Sequence, residues 1–275
     1  MKLLYSLILT LFLSSDVTPA NLCNIVARNN LEIPFTLDSG ITENEFNAVL
    51  DEFMKVNGPL AEQKGYKLVI KNLWKDKTVN ASTTRSGSKW IINAYGGLAR
   101  YEGMDPDTYM MVLCHELGHQ LGGFPAKSWA SNEGQSDYYA TMKCFRRMSY
   151  SRKPSFDVPK IVKERCSVQH KSQDEITICE NGSMIGAKLA NILNSLSDST
   201  KDIDFSTPDK KEVTSIDNSH PEAQCRLDTY FAGAVCGVSY LEEFSKDSPV
   251  PGSCAEEKGD KFGVRPRCWY KPKSE

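Results

Sequence analysis

The sequence predicts an α+β fold that is mainly helical, with a small mixed β-sheet beside one central helix. Residues 66–74 and 89–95 are alternating and β-branched enough to be strands, whereas other apolar patterns repeat at helical spacing. The chain has 275 residues, 40% of them hydrophobic, enough for one good-sized domain or two small ones. Since no linker-like segment clearly divides it, we expect one domain over residues 21–245, with a cysteine-containing tail, 246–275, packed on that domain.

Other elements follow from local signals in chain order. Thr42-Glu-Asn-Glu45 is a capping box that begins a helix ending near Lys64. A polar stretch, 75–88, separates the two strands, and Gly96-Gly97 ends the second strand. We expect further helices over residues 132–145, 181–194 and 219–244, and irregular polar segments over 152–172 and 195–218.

The first 20 residues have the features of a secretory signal peptide. Lys2 precedes a mostly apolar run, residues 3–13, and small residues lie ahead of Ala20. The run is too short for a comfortable membrane span, and no later stretch is long and apolar enough. We therefore expect a secreted or periplasmic protein without a transmembrane segment in the mature chain. Cys23 could indicate a lipoprotein, but Leu22 stands where lipid attachment requires a small residue.

The nine cysteines of an exported chain indicate disulfide bonds, and the odd number leaves at least one thiol unpaired. Cys114 is our candidate for the free thiol, because it precedes His115 on a helix expected to be buried. We expect the local pairs Cys166–Cys179 and Cys254–Cys268. No Cys-x-x-Cys pattern indicates a cysteine metal site.

The central helix carries clear signals for its own boundaries. Asp105 is a favourable N-cap, Pro106 a favourable first residue, and Gly122-Gly123 end the helix. Gly118 costs roughly 1 kcal/mol of helix propensity relative to alanine. That cost indicates that something else, such as strand backbone, approaches the helix closely there.

This helix contains the pattern His115-Glu116-Leu-Gly-His119. Two histidines four residues apart lie on the same face of a helix, where they can bind one zinc ion. Glu116 projects beside them and can take a proton from a zinc-bound water, as in metallopeptidases. The alternative is a chance match, with two surface histidines on an ordinary amphipathic helix.

A zinc peptidase needs a third protein ligand, and the segment Asn132-Glu133-Gly-Gln-Ser136-Asp137 offers one. Glu133 can complete the zinc site, and Asp137, four residues later, can accept the other ring N–H of a zinc-binding histidine. The alternative is a solvated acidic first turn, which helices favour in any case. The position of Glu133, 14 residues after His119, favours the ligand interpretation.

A zinc helix followed by a helix with Glu-x-x-x-Asp resembles the gluzincin metallopeptidases, and residues 132–137 are similar to the corresponding stretch of thermolysin. A closer similarity is to the HtpX-like and CAAX-prenyl-protease family, which carries Ser/Thr-His-Pro with an arginine six residues after the histidine. Ser219-His220-Pro221 and Arg226 match that spacing, and residues 90–98 are similar to the strand and Gly-Leu element of the family. The resemblance covers residues 88–145 and 217–235.

The resemblance implies a zincin-like fold, one Zn²⁺ per chain, and a role for His220 and Arg226 as donors to the transition-state oxyanion. The alternatives are a cap-region histidine and a solvated arginine. The chain departs from the family in lacking membrane spans, in the short gap to the third ligand and in its many cysteines.

The hypothesis is a zinc-dependent endopeptidase that binds a protein or peptide substrate extended along an edge strand, residues 89–95, at Ile92, Asn93 and Ala94. The alternative is a catalytically silent zinc-binding protein on a peptidase fold; a disulfide-rich surface protein with a chance motif would bind no zinc. The formal net charge of −2 gives no case for nucleic acid. The sequence leaves open the oligomeric state and whether a pro-segment around residues 21–40 covers the site.

Overall fold

The structure is a computed structural model that describes residues 23–272 except 28, 38, 149–155, 198 and 200. The predicted signal peptide, residues 1–20, lies outside the described residues. Within them the chain combines helices with a small mixed sheet, as the sequence predicts. Among the helices described, none combines the length and the apolar character needed to cross a membrane.

The strands of the described chain are short and lie mostly in its first half: β1 (Cys23–Asn24), β2 (Lys67–Leu73), β3 (Ala81–Ser86), β4 (Lys89–Tyr95), β5 (Ala126–Lys127) and β6 (Ala130–Ser131). The α-helices of the described chain lie in both halves of it: α1 (Glu43–Gln63), α2 (Gly96–Ala99), α3 (Pro106–Leu121), α4 (Glu133–Tyr139), α5 (Arg146–Met148), α6 (Lys160–Gln169), α7 (Gln173–Ser195) and α8 (Ala223–Val235). A π-helical turn, Ala140–Phe145, joins α4 to α5.

The helix starts predicted from capping signals are confirmed. The Thr42 side chain accepts from the backbone N–H of Glu45, whose carboxylate accepts from the Thr42 backbone N–H at 2.8 Å. At α3, the Asp105 carboxylate accepts from the Thr108 N–H at 2.7 Å. Such caps satisfy N–H groups that have no partner inside the first turn, so the chain enters each helix at a defined residue.

The sheet corrects one prediction about the substrate. Its strand order is β1-β3-β4-β2, so β4 is an interior strand, parallel to β2 and antiparallel to β3. The expectation that residues 89–95 form an edge strand, with Ile92, Asn93 and Ala94 open to a peptide, is therefore wrong. The polar stretch 75–88, expected only to separate two strands, itself contains β3, whose small residues Ala81 to Thr83 are buried.

Other boundaries differ where packing outweighs local pattern. Helix α6 lies inside a segment expected to be irregular, and α7 begins eight residues earlier than predicted. Helix α8 ends at Val235, short of the predicted end near residue 244. Arg146 Nη2 donates to the carbonyl of Ala234 at 2.7 Å and also to that of Cys236. These bonds replace the backbone N–H donors that a longer helix would supply to the last carbonyls.

Four disulfides connect eight of the nine cysteines: Cys114–Cys144, Cys166–Cys179, Cys225–Cys268 and Cys236–Cys254. The pair Cys166–Cys179 is confirmed, whereas the pair Cys254–Cys268 and the free thiol at Cys114 are wrong. Cys114 lies beside the π-helical turn, where the Cα atoms of the bridge are 5.4 Å apart. The free cysteine is Cys23. Disulfides at this density are typical of proteins that fold outside the reducing cytoplasm.

The tail is tied to both ends of α8, by Cys268 to the first turn and by Cys254 to the residue after the last. Trp269 is fully buried, and its Nε1 donates to Thr229 Oγ1 at 2.9 Å. A Cβ atom on Gly134 would lie 2.2 Å from this indole ring. The tail thus supports α4, the helix that begins with Glu133, from behind.

Candidate metal centre

Helices α3 and α4 approach closely at Gly118. A Cβ atom at this position would lie 2.8 Å from both the Cα and the carbonyl oxygen of Ser136, closer than real Cβ atoms come. Close backbone approach at Gly118 was predicted, but the neighbour is helix α4 and not a strand. The missing side chain lets α4 pack against the histidine-bearing helix, so the first residue of α4, Glu133, reaches both histidines.

The predicted ligands come together at this crossing. Glu133 Oε2 lies 3.2 Å from His115 Nε2, and Glu133 Oε1 lies 3.6 Å from His119 Nε2. One ligand atom from each of the three residues lies within 4.8 Å of the others, so the group could hold a metal ion. All three side chains are almost completely buried, Glu133 being the most exposed at 7%.

The donor atoms fit a cation. Within the described chain, His115 Nε2, His119 Nε2 and Glu133 Oε2 are buried and make no hydrogen bond, and the same holds for both carboxylate oxygens of Glu116. Buried polar atoms in proteins are nearly always bonded, since leaving one unpaired costs about 1–3 kcal/mol. A cluster of acceptors pointing at one another has no hydrogen to share, whereas a metal ion satisfies all of them.

The other ring nitrogens of the histidines hold these lone pairs in place. His115 Nδ1 donates to Asp137 Oδ1 at 2.7 Å, as the sequence predicts for Asp137. His119 Nδ1 donates to the carbonyl oxygen of Ser131 at 2.8 Å and lies 3.0 Å from Ser136 Oγ. Protons on the two Nδ1 atoms leave the Nε2 lone pairs directed at Glu133, the arrangement that metal-binding histidines use.

Asp137 is in turn held by two side chains of α8. Arg226 donates to it twice, from Nε to Oδ2 at 2.8 Å and from Nη2 to Oδ1 at 2.7 Å, and Tyr230 Oη donates to Oδ1 at 2.5 Å. Burial alone would raise the pKa of Asp137, but the Arg226 guanidinium and His115 outweigh it and hold that pKa well below its usual range. The sequence analysis missed Tyr230, although its spacing of four residues from Arg226 places both on one helix face.

The two glutamates of the centre, Glu116 and Glu133, have pKa values shifted in opposite directions. Burial raises the pKa of Glu116 to about 8, with Glu133 adding to the rise and His115 opposing it. Burial would also raise the pKa of Glu133, but His119 and His115 outweigh it and lower that pKa to about 2. Glu133 is therefore the permanent anion of the centre, and Glu116 is the carboxyl that can exchange a proton near neutral pH.

His220 and Arg226 both lie at the centre, and each contacts the backbone of the N-terminal strand. His220 Nε2 donates to the carbonyl of Asn24 at 2.6 Å and lies 3.6 Å from Glu133 Oε2. Arg226 Nη1 donates to the carbonyl of Ile25 at 2.6 Å. The solvated-arginine alternative does not describe Arg226, which is 3% exposed. His220 lies in the cap region of α8, two residues before the N-cap Glu222, and its ring also approaches Glu133.

Ile92, Asn93 and Ala94, which were predicted to contact the substrate, have no free strand edge. They lie in the interior strand β4, where Asn93 Nδ2 donates to Ser82 Oγ at 2.9 Å. Strand β3 packs against α3, and the outer edge of β3 is paired with β1. A second cluster of metal-type residues, Asp209 with Cys225 and Cys268, is no comparable site, because its two sulfur atoms form a disulfide.

No protein-family model matches the chain, and no curated protein or solved structure shows significant similarity to it. The similarity to the HtpX-like family therefore stays a prediction from the motifs. What the chain can do follows from the geometry of its own residues.

Proposed function

We propose that this chain is an exported zinc-dependent endopeptidase of the gluzincin type, resembling the HtpX-like family. The observation that carries the proposal is the buried group of two imidazole nitrogens and one carboxylate beside a second carboxylate, Glu116, all without hydrogen-bond partners within the described residues. Two histidines and one glutamate, with a further position open, form one of the usual ligand sets of catalytic zinc. The four disulfides support a location in an oxidising compartment, secreted or periplasmic.

Bound zinc would polarise the carbonyl of the scissile peptide and lower the pKa of a water molecule. Glu116 would take the proton of that water and pass it to the leaving amine. Burial raises the pKa of Glu116 to about 8, and a nearby cation would lower it, so that the carboxylate form would be available to accept the proton. Asp137 and the carbonyl of Ser131 would keep the two imidazoles oriented through each turnover.

The donors for the developing oxyanion would be His220 and Arg226. In the structure both already donate to peptide carbonyl oxygens, those of Asn24 and Ile25, at 2.6 Å. Charge that develops on a carbonyl oxygen in the same place would be stabilised by the same N–H groups. Arg226 would keep its two bonds to Asp137 while Nη1 serves the substrate.

The test is Glu116→Gln, which preserves size and removes the base. We expect one zinc per chain in both the parent and the variant, measured by atomic absorption. Cleavage of unfolded casein should fall by roughly 10²–10⁴-fold in the variant. Glu62→Gln, on the exposed face of α1, is the matched control and should cleave at the parental rate.

A catalytically silent zinc-binding protein is the second candidate. It is favoured by the depth of the centre, since His115 and Glu116 are 0% exposed and His119 is 1% exposed. Stoichiometric zinc without any cleavage that a chelator abolishes would support this candidate against the endopeptidase. A chain that binds no zinc would exclude both.

A further inference from the structure

The outer edge of β3 is occupied by the chain's own N-terminal strand segment, defined here as residues 23–27. Cys23 pairs with Thr83 and Asn24 with Ser82 in an antiparallel arrangement. The Ile25 N–H continues the pairing by donating to the carbonyl of Ala81 at 3.2 Å. The segment thus begins as a short strand along β3 and bends at Ile25 and Val26.

A single side chain clamps the end of this segment. Asn80 Oδ1 accepts from the Val26 N–H at 3.2 Å, and Asn80 Nδ2 donates to the Val26 carbonyl at 3.0 Å. The Ile25 side chain between these contacts is fully buried. An antiparallel neighbour and a filled side-chain pocket are features by which a peptide is bound at a sheet edge.

The segment also lies against the residues that we propose to be reactive at the metal centre. His220 Nε2 donates to the carbonyl of Asn24, and Arg226 Nη1 donates to that of Ile25. At the head of the segment, burial of the Cys23 thiol and the nearby carboxylates of Glu133 and Glu116 raise the pKa of that thiol to about 12. Three consecutive residues therefore face the ligands, the base and the two oxyanion donors.

We propose that the N-terminal strand segment occupies the position of an extended peptide substrate along β3, so that the described conformation is a self-blocked form. This inference rests on the endopeptidase function and names how that site is regulated. One strand edge offers its backbone groups to one partner at a time, so a substrate must displace residues 23–27. A tethered competitor acts at an effective concentration on the order of millimolar, which raises the apparent KM for every peptide.

Cys23 supplies a measurement of displacement that does not depend on catalysis. It is the free cysteine of the chain, and it is half-buried while the segment is in place. The rate at which a maleimide labels the full-length protein therefore reports how often the segment leaves β3. Asn80→Ala removes both bonds to Val26 and should speed labelling by roughly 30-fold, the factor expected for losing two ordinary hydrogen bonds.

Asn72→Ala is the matched control, because Asn72 lies on β2 at the opposite edge of the sheet and bonds to Asn47 and to the Trp74 backbone. It should label at the parental rate.

A second measurement needs no change in the segment or its clamp. In the Glu116→Gln protein, unfolded casein should accelerate Cys23 labelling in a saturable manner, because bound peptide holds the segment off β3. If neither casein nor Asn80→Ala changes the labelling rate, the segment is a permanent strand and the inference is overturned. Accelerated labelling without cleavage by any active-site-intact protein would instead overturn the endopeptidase function and leave the segment as the occupant of a peptide-binding edge.

Discussion

Two clusters of buried polar side chains lie on opposite sides of the His115 ring, and they differ in how their polar atoms are bonded. On one side, both oxygens of Asp137 accept hydrogen bonds from Arg226, and one of them also accepts from Tyr230. On the other side, Glu116 and the Nε2 atoms of the two histidines have no hydrogen-bond partner within the described residues. Both clusters are almost completely buried, so solvent does not explain the difference.

The two clusters therefore differ in role: the Asp137 cluster supports the fold, and the Glu116 cluster is the reactive one. A fully bonded buried cluster resists change, because removing any member exposes the others to an environment that cannot solvate them. A cluster of unpaired acceptors is stable only with a partner from outside the chain. Changes on the Asp137 side should therefore alter stability, and changes on the Glu116 side should alter metal binding and turnover.

The largest effect on stability is expected for Asp137→Ala. It leaves the Arg226 guanidinium buried without its carboxylate and should lower the free energy of unfolding by about 3–5 kcal/mol. Urea unfolding followed by tryptophan fluorescence measures this. The double variant Asp137→Ala with Arg226→Met should recover part of the loss, because no uncompensated charge remains. A single variant as stable as the parent would show that the pair does not support the fold.

Removal of the proposed metal should have the next largest effect. At a free zinc concentration 1,000-fold above its dissociation constant, binding adds about 4 kcal/mol to the free energy of unfolding. A chelator should therefore lower the Tm of the parent markedly in calorimetry. His119→Ala should start at the lower Tm and respond little to the chelator. Equal Tm values for the parent with and without chelator would contradict metal binding at this centre.

Tyr230→Phe should have a smaller effect, because it removes one of the hydrogen bonds to Asp137 and keeps the packed ring. The expected loss in the free energy of unfolding is about 1 kcal/mol, measured by urea unfolding at neutral pH. Zinc content should stay at one per chain, since Arg226 still orients Asp137. A loss in the free energy of unfolding as large as that of Asp137→Ala would contradict this expectation, because it would show that the Tyr230 hydroxyl matters as much as the whole Asp137 carboxylate.

The smallest effect is expected at Asp228, a carboxylate on the same helix as Arg226 but without a cation partner among the described residues. Burial raises its pKa to about 6, although the Asp209 N–H and Gln224 Nε2 donate to it. The fold therefore favours the protonated form, so the contribution to stability is present below about pH 4 and is lost as the pH rises through 6. Asp228→Asn should be more stable than the parent at pH 7 by less than about 1 kcal/mol, since the group is partly exposed, and equal to it at pH 4.

Thermal unfolding of both proteins across this pH range measures the difference. Asp228 then becomes the counterpart of Asp137, because the two carboxyls share a residue type and differ in burial and in the cation beside them. A parent that gained stability relative to the variant between pH 4 and 7 would show that Asp228 has an unseen positive partner.

By itself, the sequence determined the features that depend on neighbours along one helix. The caps of α1 and α3, the shared face of His115 and His119, and the Glu133–Asp137 spacing all follow from 3.6 residues per turn. The HtpX-like motif also singled out His220 and Arg226; in the structure His220 Nε2 lies 3.6 Å from Glu133 Oε2, and Arg226 donates to Asp137.

Only the tertiary structure decided the features that join distant parts of the chain. The interior position of β4, the pairing of Cys225 with Cys268, and the contact of Arg226 with Ile25 across 201 residues leave no periodic signal. Strand order and disulfide partners are settled by which surfaces can be buried together. The pairing of residues 23–24 with β3 is likewise set by the folded chain, so the sequence alone could not show that this segment lies beside the metal centre.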